Sequence, residues 1–261
     1  MWIDVSWLVD TKHRNVELHE GETFDWRAHG ALSDIRDQGP CGCCYAVTSA
    51  DNIMAMHQIN LEELVDLSWQ EIIDHCPWNK GCGGGTTLTS YLYVLRRPGG
   101  GLSRLQHYPY IGRKNTSPGL VLPPAAVGID AVMRVNYFSE RNIMRHIKVQ
   151  PISITMYWGP AIQNFHGPGI YDGKTPMTWS LHILETPRMQ AHSLLLIGFG
   201  RNNDGDDFWL LQNSHGENVG DGEIYRVRRG GEQDILFGRM EDGVRTGGLV
   251  IYANFPVVAV K

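Results

Sequence analysis

The sequence lacks a long apolar run, and it lacks any block of lysine and arginine residues. A helix that crosses a bilayer needs about 20 consecutive apolar residues, so we expect no membrane-spanning segment and no membrane partner. The formal net charge at pH 7 is -5 and is spread without a basic patch. Without a basic patch, the protein has no electrostatic binding site for the phosphates of a nucleic acid. We therefore expect no nucleic-acid partner.

Two further absences concern the start and the internal organisation of the chain. The first residues, Met1 to Trp7, have neither the basic segment nor the long apolar segment of a signal peptide. There is no internal repeat and no low-complexity tract, and the 30 glycines lie in short clusters between patterned segments. We therefore expect an ordered chain, and 261 residues are enough for one large domain or for two lobes with a cleft between them.

Five cysteines lie in the first third of the chain, at positions 41, 43, 44, 76 and 82. An odd number leaves at least one thiol unpaired in a monomer. Five thiols could alternatively bind zinc, but the segment from Cys41 to Cys44 lacks the two-residue spacer that zinc knuckles repeat. A single cysteine on a helix is more often a buried structural thiol than a nucleophile, so the neighbouring residues must decide.

Two helices are predicted in the first half of the chain. Apolar residues recur at three- and four-residue steps between Cys44 and about Gln58, which predicts an amphipathic helix that begins at a cysteine. A second helix is predicted from Ser68 to Asp74, because Ser68 and Glu71 form a capping-box pattern.

Strand-forming residues dominate the second half, beyond a connector at 118–124 where we place a lobe boundary. Four segments are predicted to be strands. They are 151–156, 192–199, 208–212 and 223–228.

The polar, turn-rich stretch at 200–207 is typical of a connection between antiparallel neighbours. If Phe199 faces Phe208, then His192 faces about residue 215. This register places His192 at the same end of the sheet as Asn213, within reach of its side chain. The sequence therefore predicts that a base and an amide meet.

These residue types suggest nucleophilic catalysis. A thiol in the first turn of a helix lies near the positive end of the helix dipole, and with a nearby imidazolium we expect a lowered pKa for Cys44. A histidine held in one tautomer by an amide can take the thiol proton and later protonate a leaving amine, which fits His192 and Asn213. Gln38, six residues before Cys44, is a candidate donor to an oxyanion together with the Cys44 N–H.

The segment Gln38-Gly-Pro-Cys-Gly-Cys-Cys44-Tyr45 resembles the active-site segment of papain-like cysteine peptidases, with Cys43 at a position that is Ser or Ala in that signature. Further segments resemble the family in the same order along the chain. They are 24–27, 67–74, 81–85, 108–110, 150–153, 191–192, 212–216 and 248–249.

The resemblance implies an α+β fold with two lobes: a mainly helical lobe and an antiparallel, β-barrel-like lobe, with the active-site cleft between them. On this basis we expect an N-terminal extension at 1–23, the helical lobe with the nucleophile at 24–125, and the β lobe with the histidine and asparagine at 126–261.

The resemblance also implies roles and partners. Cys44 would be the nucleophile, His192 the acid and base, Asn213 its orienting partner and Gln38 the oxyanion donor of a cysteine endopeptidase. No cofactor is expected, and the partners would be protein or peptide substrates and proteinaceous inhibitors of a monomeric enzyme. Substrate-binding residues are implied as well. They are Gly84 and Gly85, which would pair with an extended substrate, and Thr155, Gln190 and Tyr252, which would line a pocket that we expect to be shallow and polar.

Two departures from the family concern tryptophans that shield the His–Asn hydrogen bond. His215 stands at one of these positions, and the other lies near Val219. We therefore expect a more exposed bond between His192 and Asn213 and reduced turnover. His215 could also compete as a base, but the strand register favours His192.

The resemblance further implies a disulfide between Cys41 and Cys82. The usual partner of Cys76 would lie near Ser117 and is missing. We hypothesise that Cys43 pairs with Cys76 instead, which would leave Cys44 as the single free thiol.

An alternative function is a catalytically impaired papain-fold protein that binds peptides or inhibitors in its cleft. The family is made as a precursor, yet only about twenty residues precede the segment that resembles a mature start. The expectation is either a truncated sequence or a degenerate copy. A precursor would imply a lysosomal, vacuolar or extracellular location, although this chain shows no signal peptide.

Overall fold

The computed structural model describes residues 15–117, 121–135, 139–165, 168–173, 190–216, 224–230, 234–241, 244–246 and 248–258. The main helices are α1 (Cys44–Leu61), α2 (Trp69–His75), α3 (Thr87–Arg96), α4 (Glu140–Ile147) and α5 (Pro160–Gln163). The strands are β1 (Phe24–Asp25), β2 (Ala131–Arg134), β3 (Ile152–Trp158), β4 (Ile170–Tyr171), β5 (Gln190–Arg201), β6 (Asp207–Gln212), β7 (Ile224–Arg228), β8 (Arg239–Glu241), β9 (Val244–Thr246) and β10 (Val250–Val257). Short 3-10 helices lie at Trp26–His29, Gly81–Gly83 and Leu105–His107.

Helix α1 begins at Cys44, as predicted, and ends where Glu62 takes a left-handed conformation. The prediction of one apolar face was wrong, because every residue from Tyr45 to His57 is buried. A helix buried on all sides lies inside a protein rather than on its surface. Here α1 contacts α2 and α3 on the one hand and β3, β5 and β10 on the other.

Helix α2 confirms half of the predicted capping box. The Ser68 hydroxyl accepts a hydrogen bond of 3.1 Å from the Glu71 N–H and so caps the helix. The Glu71 carboxylate does not return to the backbone of Ser68. It is fully buried and instead accepts hydrogen bonds from Arg97, Tyr93 and the N–H of Ser103.

The main sheet has the strand order β2-β10-β3-β5-β6-β7-β4, with β1 paired to β5. All of its pairings are antiparallel except that of β4 with β7. Over the residues that the structure describes, the sheet is open and does not close into a barrel. Strands β8 and β9 form a separate hairpin.

The pairing of β5 with β6 corrects the predicted register near the turn. Phe208 faces Gly200, one residue further along than predicted. A bulge follows at 196–198, and beyond it Leu195 faces Gln212, as the predicted register requires. Because of the bulge, the one-residue offset is absent from the part of β5 that lies toward His192.

The buried apolar residues form two clusters. The smaller cluster surrounds α1, α2 and α3, and the larger one lies on the strands and also takes in Trp26 and Ala31 from the start of the described chain. The two parts meet through polar contacts as well, since the Asn52 amide donates a 2.9 Å hydrogen bond to the Ser153 hydroxyl. This is the mixed helix-and-sheet fold that the sequence predicted, while the exact lobe boundaries stay a prediction. Within the described part of the chain, no helix is both long and apolar enough to cross a membrane.

Candidate active site

Cys44 is the first residue of α1 and is partly buried. The loop before it is held by the disulfide between Cys41 and Cys82, which confirms the predicted pairing. Between them, the N–H of Gly42 donates a 3.1 Å hydrogen bond to the Cys82 carbonyl oxygen. A Cβ atom on Gly42 would lie 2.7 Å from that oxygen, so only glycine allows the two loops to approach so closely. The loop therefore reaches Cys44 in a fixed conformation.

The sulfur of Cys44 lies against Ser193, whose N–H and hydroxyl both act to lower the pKa of the thiol. Burial outweighs these donors and raises the pKa of Cys44 above its ordinary value. The sequence-based expectation of a lowered pKa was therefore wrong for the resting site. Here the hydrogen bonds that would stabilise the thiolate do not offset its removal from water.

His192 and Asn213 meet as the strand register predicted. The His192 Nε2 lies 2.7 Å from the Asn213 Oδ1, and both side chains are almost fully buried. Burial lowers the pKa of His192 to about 4, although the hydrogen bond to Asn213 acts in the opposite direction. At neutral pH the site thus holds a neutral imidazole whose Nε2–H is fixed by an amide oxygen.

The expected exposure of this hydrogen bond was wrong, since His192 is 5% exposed and Asn213 is 3% exposed. Two rings cover the pair. The ring of Trp158, from β3, lies 4.8 Å from that of His192, and the ring of His215 stacks on His192 at 4.6 Å with an interplanar angle of 22°. The position near Val219 lies outside the described residues.

Gln38 is buried beside this group. Its Nε2 donates a 2.9 Å hydrogen bond to the Cys41 carbonyl, and its Oε1 accepts one of 2.6 Å from the hydroxyl of Ser214. The backbone N–H of Gln38 also donates to the Ser214 carbonyl, at 2.8 Å. The Gln38 amide is therefore held through both its nitrogen and its oxygen. One of its two N–H groups has no acceptor among the described residues and can donate to a further one.

Thr155 and Tyr252 lie next to each other, because they are paired across β3 and β10. The Thr155 hydroxyl is 2.9 Å from that of Ser193, the residue that contacts Cys44. Burial raises the pKa of the Tyr252 phenol, which also contacts Thr155 and Thr86. The sequence did not single out Thr86 as a neighbour of Tyr252, since nothing in its own neighbourhood marks it.

The other predicted substrate-binding residues are Gln190, Gly84 and Gly85. Gln190 is exposed and is the first residue of β5, two positions before His192. Gly84 and Gly85 directly follow the short helix that contains the disulfide-bonded Cys82. Gly84 has a φ of 102°, which favours glycine at that position.

The hypothesis of a bond between Cys43 and Cys76 is contradicted, because both are free thiols. The Cys43 sulfur lies 3.6 Å from the hydroxyl of Tyr110, while that of Cys76 points to the Thr89 carbonyl at 3.6 Å. The two cysteines thus face different neighbours. Burial raises the pKa of Cys43 to about 11, so this thiol stays protonated next to Cys44.

The fold and this site together define the class of two-lobed thiol proteases. The family model described as papain family cysteine protease matches residues 21–240. The chain therefore belongs to the papain family of cysteine proteases.

Particular relatives are plant proteins. The thiol protease SEN102 of Hemerocallis sp. is 27% identical over 246 residues, which cover 94% of this chain and 62% of that protein. The cysteine proteinase RD21A of Arabidopsis thaliana is 30% identical over 209 residues, which cover 80% and 42%. Zingipain-2 of Zingiber officinale is 28% identical over 236 residues, which cover 90% and 96%. The chain thus spans less than two thirds of the first two relatives and nearly all of the third.

The chain also resembles solved structures of plant cysteine proteases. The cysteine protease CMS1MS2 of Carica candamarcensis, in complex with E-64, superposes with a TM-score of 0.71 at 28% identity, covering 90% of this chain and 98% of that one. The bromelain protease of Ananas comosus, in complex with the same inhibitor, gives a TM-score of 0.73 at 22% identity, covering 91% and 99%. The second likeness is one of fold alone.

Proposed function

We propose that the protein is a cysteine endopeptidase that hydrolyses peptide bonds through an acyl-enzyme on Cys44. The observation that carries this proposal is the buried pair of His192, on β5, and Asn213, directly after β6, next to the Cys44 thiol, which contacts Ser193. A nucleophile, a base and a group that orients the base are the parts that this reaction needs.

The first step starts from neutral groups. The Asn213 Oδ1 accepts from the Nε2–H of His192, which leaves the Nδ1 lone pair as the proton acceptor. As the Cys44 sulfur attacks the carbonyl carbon, its proton passes to His192 Nδ1, and the π electrons of the carbonyl move to its oxygen. The resulting oxyanion accepts hydrogen bonds from Gln38 Nε2 and the Cys44 N–H, each worth about 3 kcal/mol.

The tetrahedral intermediate then collapses. The C–N bond breaks, its electron pair goes to the amine nitrogen, and His192 Nδ1 returns its proton to that nitrogen. Water attacks the thioester while His192 takes one of its protons. The C–S bond breaks, the acid product leaves, and the Cys44 sulfur regains a proton from His192.

We propose extended peptides as substrates, bound along Gly84 and Gly85 with one side chain entering the region between Thr155 and Tyr252. The hydroxyls of Thr155 and Thr86 and the phenol of Tyr252 make this region polar and partly filled. Small or polar side chains are therefore favoured over large apolar ones. Inhibitors such as E-64, which is bound in two of the similar structures, would occupy the same cleft.

We also propose a lysosomal, vacuolar or extracellular compartment. The supporting observation is the disulfide between Cys41 and Cys82, since such bonds persist in oxidising compartments and are rare in the cytosol.

Labelling with E-64 followed by peptide mass mapping tests the function. One label per chain is expected on Cys44, and both Cys44→Ala and His192→Ala should abolish it. Cys76→Ala is the matched control, because it removes another free cysteine and should leave the label on Cys44. A folded wild-type protein that takes no label and cleaves no peptide would instead support a peptide-binding protein.

A further inference from the structure

The amide of Asn213 is hydrogen bonded to two imidazole rings. Its Oδ1 is 2.7 Å from His192 Nε2, and its Nδ2 is 3.0 Å from His215 Nδ1. The rings stack on each other at 4.6 Å, and the ring of Trp158 lies 4.8 Å from the first and 6.3 Å from the second. The four side chains form one packed group.

Hydrogen-bond chemistry fixes where the protons of this group lie. An amide oxygen only accepts, so His192 must carry a proton on Nε2. An amide nitrogen only donates, so His215 Nδ1 must be unprotonated. His215 is therefore neutral, with its proton on Nε2, whenever Asn213 has the orientation that the proposed reaction needs.

We propose that His215 is a positioning residue, whose neutral ring locks the Asn213 amide and thereby holds His192 in the tautomer that can accept the thiol proton. This inference rests on the proposed function for its catalytic meaning, while the proton arrangement can be tested without it. His215 acts on His192 through the Asn213 amide and through its stack on the His192 ring.

Protonation of His215 would break the hydrogen bond that it accepts from the Asn213 amide. An imidazolium has N–H groups on both nitrogens, so it cannot accept a hydrogen bond from the amide. Asn213 would turn its oxygen toward His215 and its NH2 toward His192 Nε2. His192 would then carry its proton on Nδ1, where it can no longer take one from Cys44.

The surroundings of His215 oppose that protonation on balance. His192 faces it from β5, Asp37 faces it from the loop before α1, and β3 presents the uncharged Trp158. Asp37 favours the imidazolium, but burial and the neighbouring His192 act against it and lower the pKa of His215 to about 4. The hydrogen bond from Asn213 to His215 is thus present at neutral pH and lost in acid.

The pH dependence of kcat/KM for a fluorogenic peptide tests this inference. Two ionisations should block the wild type, so activity should fall about 100-fold per pH unit at the acid end. His215→Asn keeps an acceptor near the position of Nδ1 but cannot titrate, and its activity should fall about 10-fold per unit. His215→Leu removes the acceptor and should lower kcat more than His215→Asn, with KM unchanged. An acid limb of equal slope in wild type and His215→Asn would overturn the proposal.

Nitrogen NMR of the wild type labelled at histidine provides a second test that does not depend on activity. At pH 7 we expect His215 to be unprotonated at Nδ1 and His192 to carry its proton on Nε2. The opposite tautomers would overturn the proposal even in an active enzyme. A protein with the expected tautomers that hydrolyses no peptide would contradict the proposed function and leave the proton arrangement standing.

Discussion

The hydroxyl of Ser214 donates a 2.6 Å hydrogen bond to the side-chain oxygen of Gln38, and the backbones of the same two residues are also hydrogen bonded. Gln38 lies in the loop before Cys44, the proposed nucleophile, whereas Ser214 directly follows Asn213, just beyond the end of β6. This contact therefore joins the two halves of the candidate site. Gln38, the proposed oxyanion donor, and Asn213, which is proposed to orient the base, are thus held in fixed relative positions.

Replacing Ser214 with alanine should lower kcat by about 5- to 30-fold with little change in KM, because Gln38 loses the bond that aims its N–H groups. Gln38→Ala should cost about 100- to 1,000-fold. Steady-state kinetics of both variants and of the double variant check this. If Ser214 acts through Gln38, the double variant is no slower than Gln38→Ala, and additive effects would contradict the relationship.

Ser139→Ala is a matched control for this series. It also removes a serine hydroxyl that makes a hydrogen bond, here one that accepts from the Asn142 N–H as the N-cap of α4, away from the site. We expect it to lower the free energy of unfolding by about 1 kcal/mol and to leave kcat unchanged.

Asn213→Ala should lower kcat/KM by about 10- to 150-fold, mainly through kcat. The substitution removes the acceptor of the 2.7 Å hydrogen bond from His192, and a bond to a group that becomes charged is worth about 1.5–3 kcal/mol. Kinetics with a fluorogenic peptide check the size of the loss and its division between kcat and KM. Asn60→Ala removes a comparable amide at the far end of α1 and should not change either constant. An effect confined to KM would argue against an orienting role.

The sequence predicted the parts of this site that depend on short-range patterns. The start of α1 at Cys44 and the cap at Ser68 follow from residues close to them in the chain. The meeting of His192 with Asn213 followed from one hairpin register, because a bulge restored that register at the site end.

The features that the sequence did not predict arise from packing between distant segments. Trp158 covers His192 only because β3 pairs with β5, which no local pattern reveals. The burial of α1 on every face likewise depends on both lobes closing around it. The free thiols of Cys43 and Cys76 face different neighbours, and a count of cysteines contains no information on that geometry.

The stability of the protein should fall as the pH is lowered from 6.5 to 4. The pKa of His192 is lowered to about 4 in the folded protein, from an ordinary value of 6.5, so in this window the unfolded chain binds more protons than the folded one. The shift corresponds to about 3 kcal/mol, present above pH 6.5 and lost once the pH falls through 4. Urea unfolding of wild type and His192→Ala at several pH values measures this contribution.

The variant should show a weaker pH dependence across the same window, and the difference between the two proteins should change by about 3 kcal/mol. His107→Ala, which removes an exposed imidazole, should follow the wild type. Parallel curves for wild type and His192→Ala would show that His192 is not buried in its neutral form.

Loss of the disulfide should destabilise the protein and slow the labelling of Cys44. Cys41 and Cys82 are 41 residues apart in sequence, and a loop of that length corresponds to about 4 kcal/mol in the free energy of unfolding. The same bond holds the loop that carries Gly42 and leads to Cys44, so the double variant Cys41→Ser/Cys82→Ser should also react more slowly with E-64.

Urea unfolding with and without a reductant separates the effect of the disulfide from the effect of the substitutions. The reductant should lower the free energy of unfolding of the wild type to about that of the double variant, and it should leave the value for the double variant unchanged. If the wild type is unfolded, reduced and refolded and its free energy of unfolding is unchanged, the disulfide adds nothing to its stability.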